Sequence, residues 1–533
     1  MWKRFMIVFA VMSISLSYLY MRLYNISTDP EYQKTAISQG RYVLTVNRSY
    51  GTIYDKNMIP MNNNSYKYIA AVNPTYNGIS HIKKYALDKN ENYNEMIYGL
   101  PFLCDVSEDC FETADVKVFK IIDRVPENQM AVHLIGYTRD NVGVSGLEYS
   151  FDYILRNECL IEKAVFDIDA NGDVLEGSEI KCENEYKGEF GIITTIDRDI
   201  QMICETAGNS IEKGAIIVMT PDGEIRAMAS FPAFDVNNLE GSLEDENKPF
   251  INRTLLPYNV GSVFKLVTAA TAIEQGETTD FFYECEGYAD VNGKIFRCHK
   301  HSGHGGLNMP EAMKNSCNTY FIELSKELDN LEFINMTKKF GFGEKIYLAN
   351  GISSYSGNIQ DENDLDIPAE KANMSFGQGK LTATPLQIAR MTAIIANGGF
   401  SPEINVVKGT IENEKVIYKT KNQAQRVIDF ETSYKLRNFM EYSVNNETSN
   451  ANPSNTTAAG KTSTAQTGIF DEDGDEVLQA WFTGYFPSDN PKYIVTVLVE
   501  NGKTGNASAA PVFKEIAEKI TILENEQIAE RVY

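Results

Sequence analysis

The chain has 533 residues, a 43% apolar share, and 73 acidic against 49 basic residues, for a net charge of −24. That length supports more than one domain with sizeable cores, which excludes a wholly disordered chain. So acidic a chain repels phosphate backbones, which excludes nucleic acid as a partner, and its charge reads as a solubility feature.

The N-terminus departs from this pattern. Lys3 and Arg4 precede an uncharged run from Phe5 to Met21, followed by Arg22. The run is about the minimum length for a membrane-spanning helix, and the leading cations predict that the rest of the chain lies outside the cytoplasm. A cleaved signal peptide is the rival, but bulky Tyr18 follows Ser15-Leu16-Ser17, which makes a poor cleavage site. Residues 1–23 are therefore expected to be an uncleaved anchor in the cell membrane.

Residues 24–190 are polar, rich in Asn and Tyr, and weakly periodic, and are expected to form an irregular, extended domain. Residues 191–524 alternate strands and helices, and 525–533 read as a charged tail. None of the eight cysteines sits in a CxxC pair, which disfavours zinc ribbons and thioredoxin-type sites. Cys104–Cys110, Cys285–Cys298 and Cys159–Cys182 stand as candidate disulfides, with buried reduced thiols as the alternative.

The second region opens with Gly214–Met219 and Glu224–Ala229 flanking the turn Pro221-Asp222-Gly223. Helical patterns follow at Leu266–Ile273 and Pro385–Ile395. Ala480–Tyr485 and Tyr493–Val499 are β-branched and aromatic, and Pro511–Ile520 reads as a closing amphipathic helix. Strands at both ends with helices between predict one sheet assembled from distant segments.

Three short motifs carry chemistry. In Gly261-Ser262-Val263-Phe264-Lys265, an apolar run places Ser262 at a helix start, and i,i+3 spacing brings the Lys265 amine to its hydroxyl. A buried lysine of lowered pKa can take the proton that keeps a serine from being a nucleophile. In Ser316-Cys317-Asn318, an extended loop would turn Ser316 and Asn318 toward one cleft. Lys461-Thr462-Ser463-Thr464 reads as a strand whose cation and hydroxyls suit a carboxylate, and whose backbone N–H groups suit an oxyanion.

Taken in order, the three motifs resemble the Ser-x-x-Lys, Ser-x-Asn and Lys-Thr-Gly triplet of penicillin-binding proteins, class B. Asn252-Arg253-Thr254, Thr195-Ile196-Asp197, Gly377-Gln378-Gly379 and Trp481-Phe482-Thr483-Gly484 resemble further family segments, as do Gly51–Asp55 and Ser145–Glu148 in the first region, so the likeness covers nearly all of the chain. The resemblance implies an α+β (mixed α/β) fold, with a serine β-lactamase-like transpeptidase domain built on an antiparallel sheet flanked by helices. An elongated pedestal and an anchor would precede it. It implies a peptidoglycan D,D-transpeptidase with Ser262 as nucleophile, Lys265 as base, and Ser316, Asn318 and Lys461 serving proton transfer and positioning. Thr462, Ser463 and Thr464 would bind substrate. Stem peptides ending in D-Ala-D-Ala, β-lactams and a membrane glycan polymerase would be its partners, with no cofactor. A hydrolase on the same site and a non-catalytic β-lactam sensor are the rivals.

Two positions depart from the family. Ser463 stands where its glycine leaves room for the nucleophile helix, and Val260 where it usually carries proline. Other features read blandly. Cys298, His299, His301 and His304 crowd together, but His304-Gly305 matches a family loop, and no metal is expected. Asp471–Asp473 with Asp475-Glu476 reads as an acidic hairpin tip rather than a calcium loop.

Overall fold

The computed structural model describes residues 1–88, 99–124, 128–276, 281–470 and 474–532, with side chains through 529. These fall into two compact units.

The first unit comprises residues 1–50, 64–124 and 158–189. Its helix Trp2–Thr28 extends five residues past the expected anchor and is long and apolar enough to cross a membrane. Arg41–Tyr50, Glu158–Asp167 and Lys181–Tyr186 form one antiparallel sheet, and Phe102–Val106, Ser65–Val72 and Val116–Asp123 form another.

The second unit comprises residues 51–63, 125–157 and 190–533. Two stretches of the 24–190 region thus fold with it, and specific pairings explain why. Thr52–Tyr54 pairs in parallel with Phe190–Thr194, and the Asn62 amide donates to the buried Glu148 carboxylate at 2.8 Å.

Five strands build this unit's main sheet: β1 (Gly214–Met219), β2 (Ile225–Phe231), β3 (Ala459–Phe470), β4 (Glu476–Phe486) and β5 (Tyr493–Glu500). All pairs are antiparallel, in the order β2-β1-β5-β4-β3, so the first hairpin and the last three strands join across more than 200 residues. Gly223, at a φ of +91°, closes the β1–β2 turn. Residues 471–473 of the acidic tip lie outside the described residues, although the strands flanking it pair as a hairpin.

Strand alternation sends side chains into two cores. Ala215, Ile217, Met219, Trp481, Tyr485, Ile494 and Leu498 enter the core shared with helices α2 (Lys265–Glu274), α3 (Asn318–Lys326) and α4 (Pro385–Ala396). Ile216, Val218, Phe482, Phe486, Val495 and Val497 enter the other, with α1 (Arg198–Ala207) and α5 (Ala510–Val532). A sheet buried on both faces needs continuous apolar runs, which β1 and β5 carry. The region read as a tail continues α5, because 525–532 holds good helix formers and no breaker. Lys492 and Tyr493 donate to Glu524 on that helix, at 2.9 and 3.0 Å.

Candidate active site

Ser262 lies in a single 3₁₀ turn, Gly261–Phe264, that runs straight into α2. The turn opens at Gly261 with a φ of +63°, where a Cβ would lie 2.4 Å from the Ser463 hydroxyl. A side chain is therefore excluded at position 261 by both strain and space. Gly261 N–H donates to the Gly377 carbonyl at 2.8 Å, and the Thr268 hydroxyl donates to the Ser375 carbonyl at 2.8 Å, so the Ser375–Gly379 segment braces the turn that carries Ser262.

Ser316-Cys317-Asn318 is not the extended loop expected. It is a tight turn between helix Met309–Lys314 and α3, with Ser316 at a φ of +50°. Both polar side chains nonetheless reach the same amine, because Asn318 already stands at the first position of α3.

Four oxygens surround Lys265 Nζ. Ser316 O lies at 2.7 Å, Asn318 Oδ1 at 2.6 Å, Ser262 Oγ at 2.9 Å and Ser316 Oγ at 3.3 Å. The side chain is fully buried, and burial together with the neighbouring Lys461 charge holds its pKa well below the ordinary lysine value. A neutral amine has two N–H groups and one lone pair. The backbone carbonyl and the amide oxygen are acceptors only, so they take both N–H groups. The lone pair is left for the Ser262 O–H, which is the arrangement a general base needs.

Lys461 is buried on β3, the edge strand. Its Nζ donates to Ser316 Oγ and to Thr462 O, both at 3.0 Å. The Ser316 hydroxyl therefore bridges the two amines and can pass a proton between them. Burial lowers the Lys461 pKa to about 7. Along β3, Lys461, Ser463 and Ala465 turn inward, while Thr462 is half-buried and Thr464 exposed. Thr464 Oγ1 accepts from Gly505 N–H at 3.1 Å.

The lowered pKa has a consequence for stability. Between about pH 7 and the ordinary lysine value, the unfolded chain holds a proton at position 461 that the folded chain lacks. Stability therefore rises with pH across that window. Lys461→Met is expected to flatten this rise relative to the native chain in thermal unfolding between pH 7 and 10, and an identical slope would contradict the assignment.

Ser463 sits against the turn that carries Ser262, as its place on the Lys461 face predicts. Its hydroxyl donates to the Val260 carbonyl at 2.9 Å, so the added polar group is satisfied rather than stranded. Ser463→Gly should cost about 0.5–1.5 kcal/mol of stability through that bond. It should also speed acylation by labelled penicillin, and an unchanged rate would discard the steric idea.

A literal Lys-Thr-Gly tripeptide also occurs, at Lys503-Thr504-Gly505. Lys503 is exposed. The buried Lys461 on the edge strand, not this lysine, meets Ser316.

The crowded histidines resolve differently from the sequence grouping. The structure gathers Cys285, Cys298, His304 and Cys317, whose ligand atoms all lie within 4.8 Å of one another, and leaves His299 and His301 outside. The sequence pairs Cys285 with Cys298 as a candidate disulfide, but not with His304, and Cys317 lies outside that grouping. The signal is the spacing of twelve, five and twelve residues between the four. Among the described residues the candidate bridges Cys104–Cys110, Cys285–Cys298 and Cys159–Cys182 are not formed.

Residues 214–518, more than half of the chain, match the penicillin binding protein transpeptidase domain family. Stage V sporulation protein D of Bacillus subtilis is 32% identical over 425 residues, covering 74% of this chain and 63% of that protein. Peptidoglycan D,D-transpeptidase MrdA of Haemophilus influenzae is 27% identical over 425 residues, covering 71% of this chain and 62% of that one. The chain thus spans less than two thirds of the length of these relatives. The crystal structure of penicillin binding protein 3 from Mycobacterium tuberculosis, complexed with aztreonam, matches with a TM-score of 0.65 at 21% identity, over 91% of this chain and 97% of that one. That likeness is one of fold.

Proposed function

Since the chain belongs to the penicillin-binding protein transpeptidase family, of class B, we propose that it is a peptidoglycan D,D-transpeptidase working through a Ser262 acyl-enzyme. The observation that carries this is the buried Lys265 amine, 2.9 Å from Ser262 Oγ and held by Ser316 O at 2.7 Å and Asn318 Oδ1 at 2.6 Å.

In the first step Lys265 takes the Ser262 proton as Oγ attacks the carbonyl of the penultimate D-alanine in a stem peptide. Backbone N–H groups of Ser262 and Thr464 receive the developing oxyanion. The C–N bond to the terminal D-alanine breaks, and the proton reaches its leaving nitrogen by way of Ser316 and Lys461. Thr462 and Thr464, in the field of Lys461, hold the terminal carboxylate, with Ser463 shaping the strand between them. In the second step an amine from a neighbouring stem peptide attacks the ester. It gives up its proton by the same route and restores Ser262. β-Lactams carry a strained amide into the same attack and leave an acyl-enzyme.

Residues 1–23 anchor the chain in the cell membrane, the rest of the first unit (24–50, 64–124 and 158–189) serves as a pedestal, and the second unit works outside the cytoplasm. A membrane glycan polymerase is the partner whose product this chemistry would cross-link. The relatives' names support the reaction class: MrdA is named a peptidoglycan D,D-transpeptidase.

A hydrolase would use the same site with water in place of the amine. Purified chain supplied with stem pentapeptide and an acceptor peptide should yield cross-linked dimer with release of D-alanine. Free tetrapeptide alone would overturn the transpeptidase reading in favour of a carboxypeptidase.

A further inference from the structure

We propose that Cys285, Cys298, His304 and Cys317 form a structural zinc site that ties the turn carrying Ser316 and Asn318 to the excursion 283–307. The four groups come from three separate pieces of chain. Cys285 ends strand Tyr283–Cys285, which pairs antiparallel with Gly305–Leu307 so that Cys285 faces Gly305, the neighbour of His304. Cys298 follows the hairpin Tyr288–Val291/Lys294–Arg297 and is drawn back by its N–H donating to the Gly287 carbonyl at 2.9 Å. Cys317 lies between Ser316 and Asn318. Cys285, Cys298 and Cys317 are buried, at 2%, 0% and 0% exposure.

The spacing is that of a tetrahedron. With Zn–S near 2.3 Å and Zn–N near 2.0–2.1 Å, tetrahedral edges come to about 3.8 Å for S···S and about 3.6 Å for S···N. In the structure Cys298 Sγ and Cys317 Sγ are 3.9 Å apart, and His304 Nδ1 lies 3.5 Å from both Cys285 Sγ and Cys298 Sγ. Pairwise S–H···N bonds would also give the latter distances, but they do not require four groups to converge on one point. Three thiols with an imidazole select zinc among the common divalent ions, and four protein ligands leave no open position, which marks a structural site. The Thr319 hydroxyl, 3.1 Å from Cys285 Sγ and 3.3 Å from Cys317 Sγ, is placed to donate to the thiolates. Binding would release the three thiol protons to solvent.

Such a tie would add to the packing of Ala289, Val291 and Phe296 against Ile322 and Ala372. The excursion's strands are three or four residues long, in pairs too small to be stable alone. A bound ion would fix the excursion, and with it the backbone of residue 317, to which Ser316 and Asn318 are attached. Only this last link rests on the acyl-transfer reading.

Full-length chain purified in detergent without chelator should contain about one zinc per chain by mass spectrometric metal analysis. Cys298→Ser should lose it and Cys182→Ser should keep it. Cobalt in its place should give the thiolate charge-transfer absorption. If Cys298→Ser does not fold, stripping zinc from the native chain with a chelator should lower its Tm by about 5 °C or more, and zinc should restore it. A metal-free chain whose Tm ignores chelator and added zinc overturns the proposal, as does a Cys298–Cys317 disulfide found by alkylation without reduction. If zinc is present and no transpeptidation occurs, the proposed function fails and this site stands.

Discussion

Lys265→Met is expected to slow acylation of the chain by labelled penicillin by about 10²–10⁴-fold, the contribution of a well-placed general base. Methionine is near lysine in length and suits a fully buried position, so it removes the lone pair facing Ser262 while filling the space. It also leaves Ser316 O and Asn318 Oδ1 without their N–H donors, at a cost of about 1–3 kcal/mol each, partly offset by no longer burying an amine. Rates are therefore to be compared at temperatures where unfolding curves show both chains folded. Acylation within tenfold of the native rate would remove Lys265 from the role of base.

Lys461→Met should slow acylation by about 10²–10³-fold, on the scale of losing one preorganised electrostatic contact. The reason differs from that at Lys265. Lys461 Nζ donates to Ser316 Oγ and Thr462 O rather than to Ser262 Oγ. It holds Ser316 Oγ at 3.0 Å and supplies the positive field beside Thr462 and Thr464. Its removal should therefore hit substrates bearing the terminal carboxylate harder than analogues in which that group is amidated. In the native chain the Lys461 charge is lost as pH rises through about 7, so the preference for the carboxylate should shrink over the same range. A preference indifferent to pH and to the Lys461→Met change would place the carboxylate elsewhere.

Much of this was legible in the sequence because the motifs are local. Ser262 and Lys265 meet through helix spacing alone. The long apolar N-terminal helix, the first hairpin, and the strands at 480–485 and 493–499 follow from apolar pattern and turn residues. The rest depends on pairings between distant segments. The joining of residues 51–63 and 125–157 to the second unit rests on a three-residue parallel pairing and one buried amide–carboxylate bond, neither of which leaves a periodic trace. The left-handed Ser316 is invisible because serine has no special tolerance for that region. The steric concern over Ser463 was correct about its place, but no pattern could show that the Val260 carbonyl waits there to accept its hydroxyl. The thiol–imidazole cluster was missed for the same reason. Its members touch only after two hairpins and the Ser316 turn have folded.

The most direct test of the account is mass spectrometry of the chain after exposure to benzylpenicillin. A single covalent adduct of one penicilloyl group is expected, mapping to the peptide that carries Ser262 and absent from Ser262→Ala. An adduct on any other residue, or a folded chain that stays unmodified under saturating penicillin, would contradict the claim that Lys265 activates the Ser262 hydroxyl.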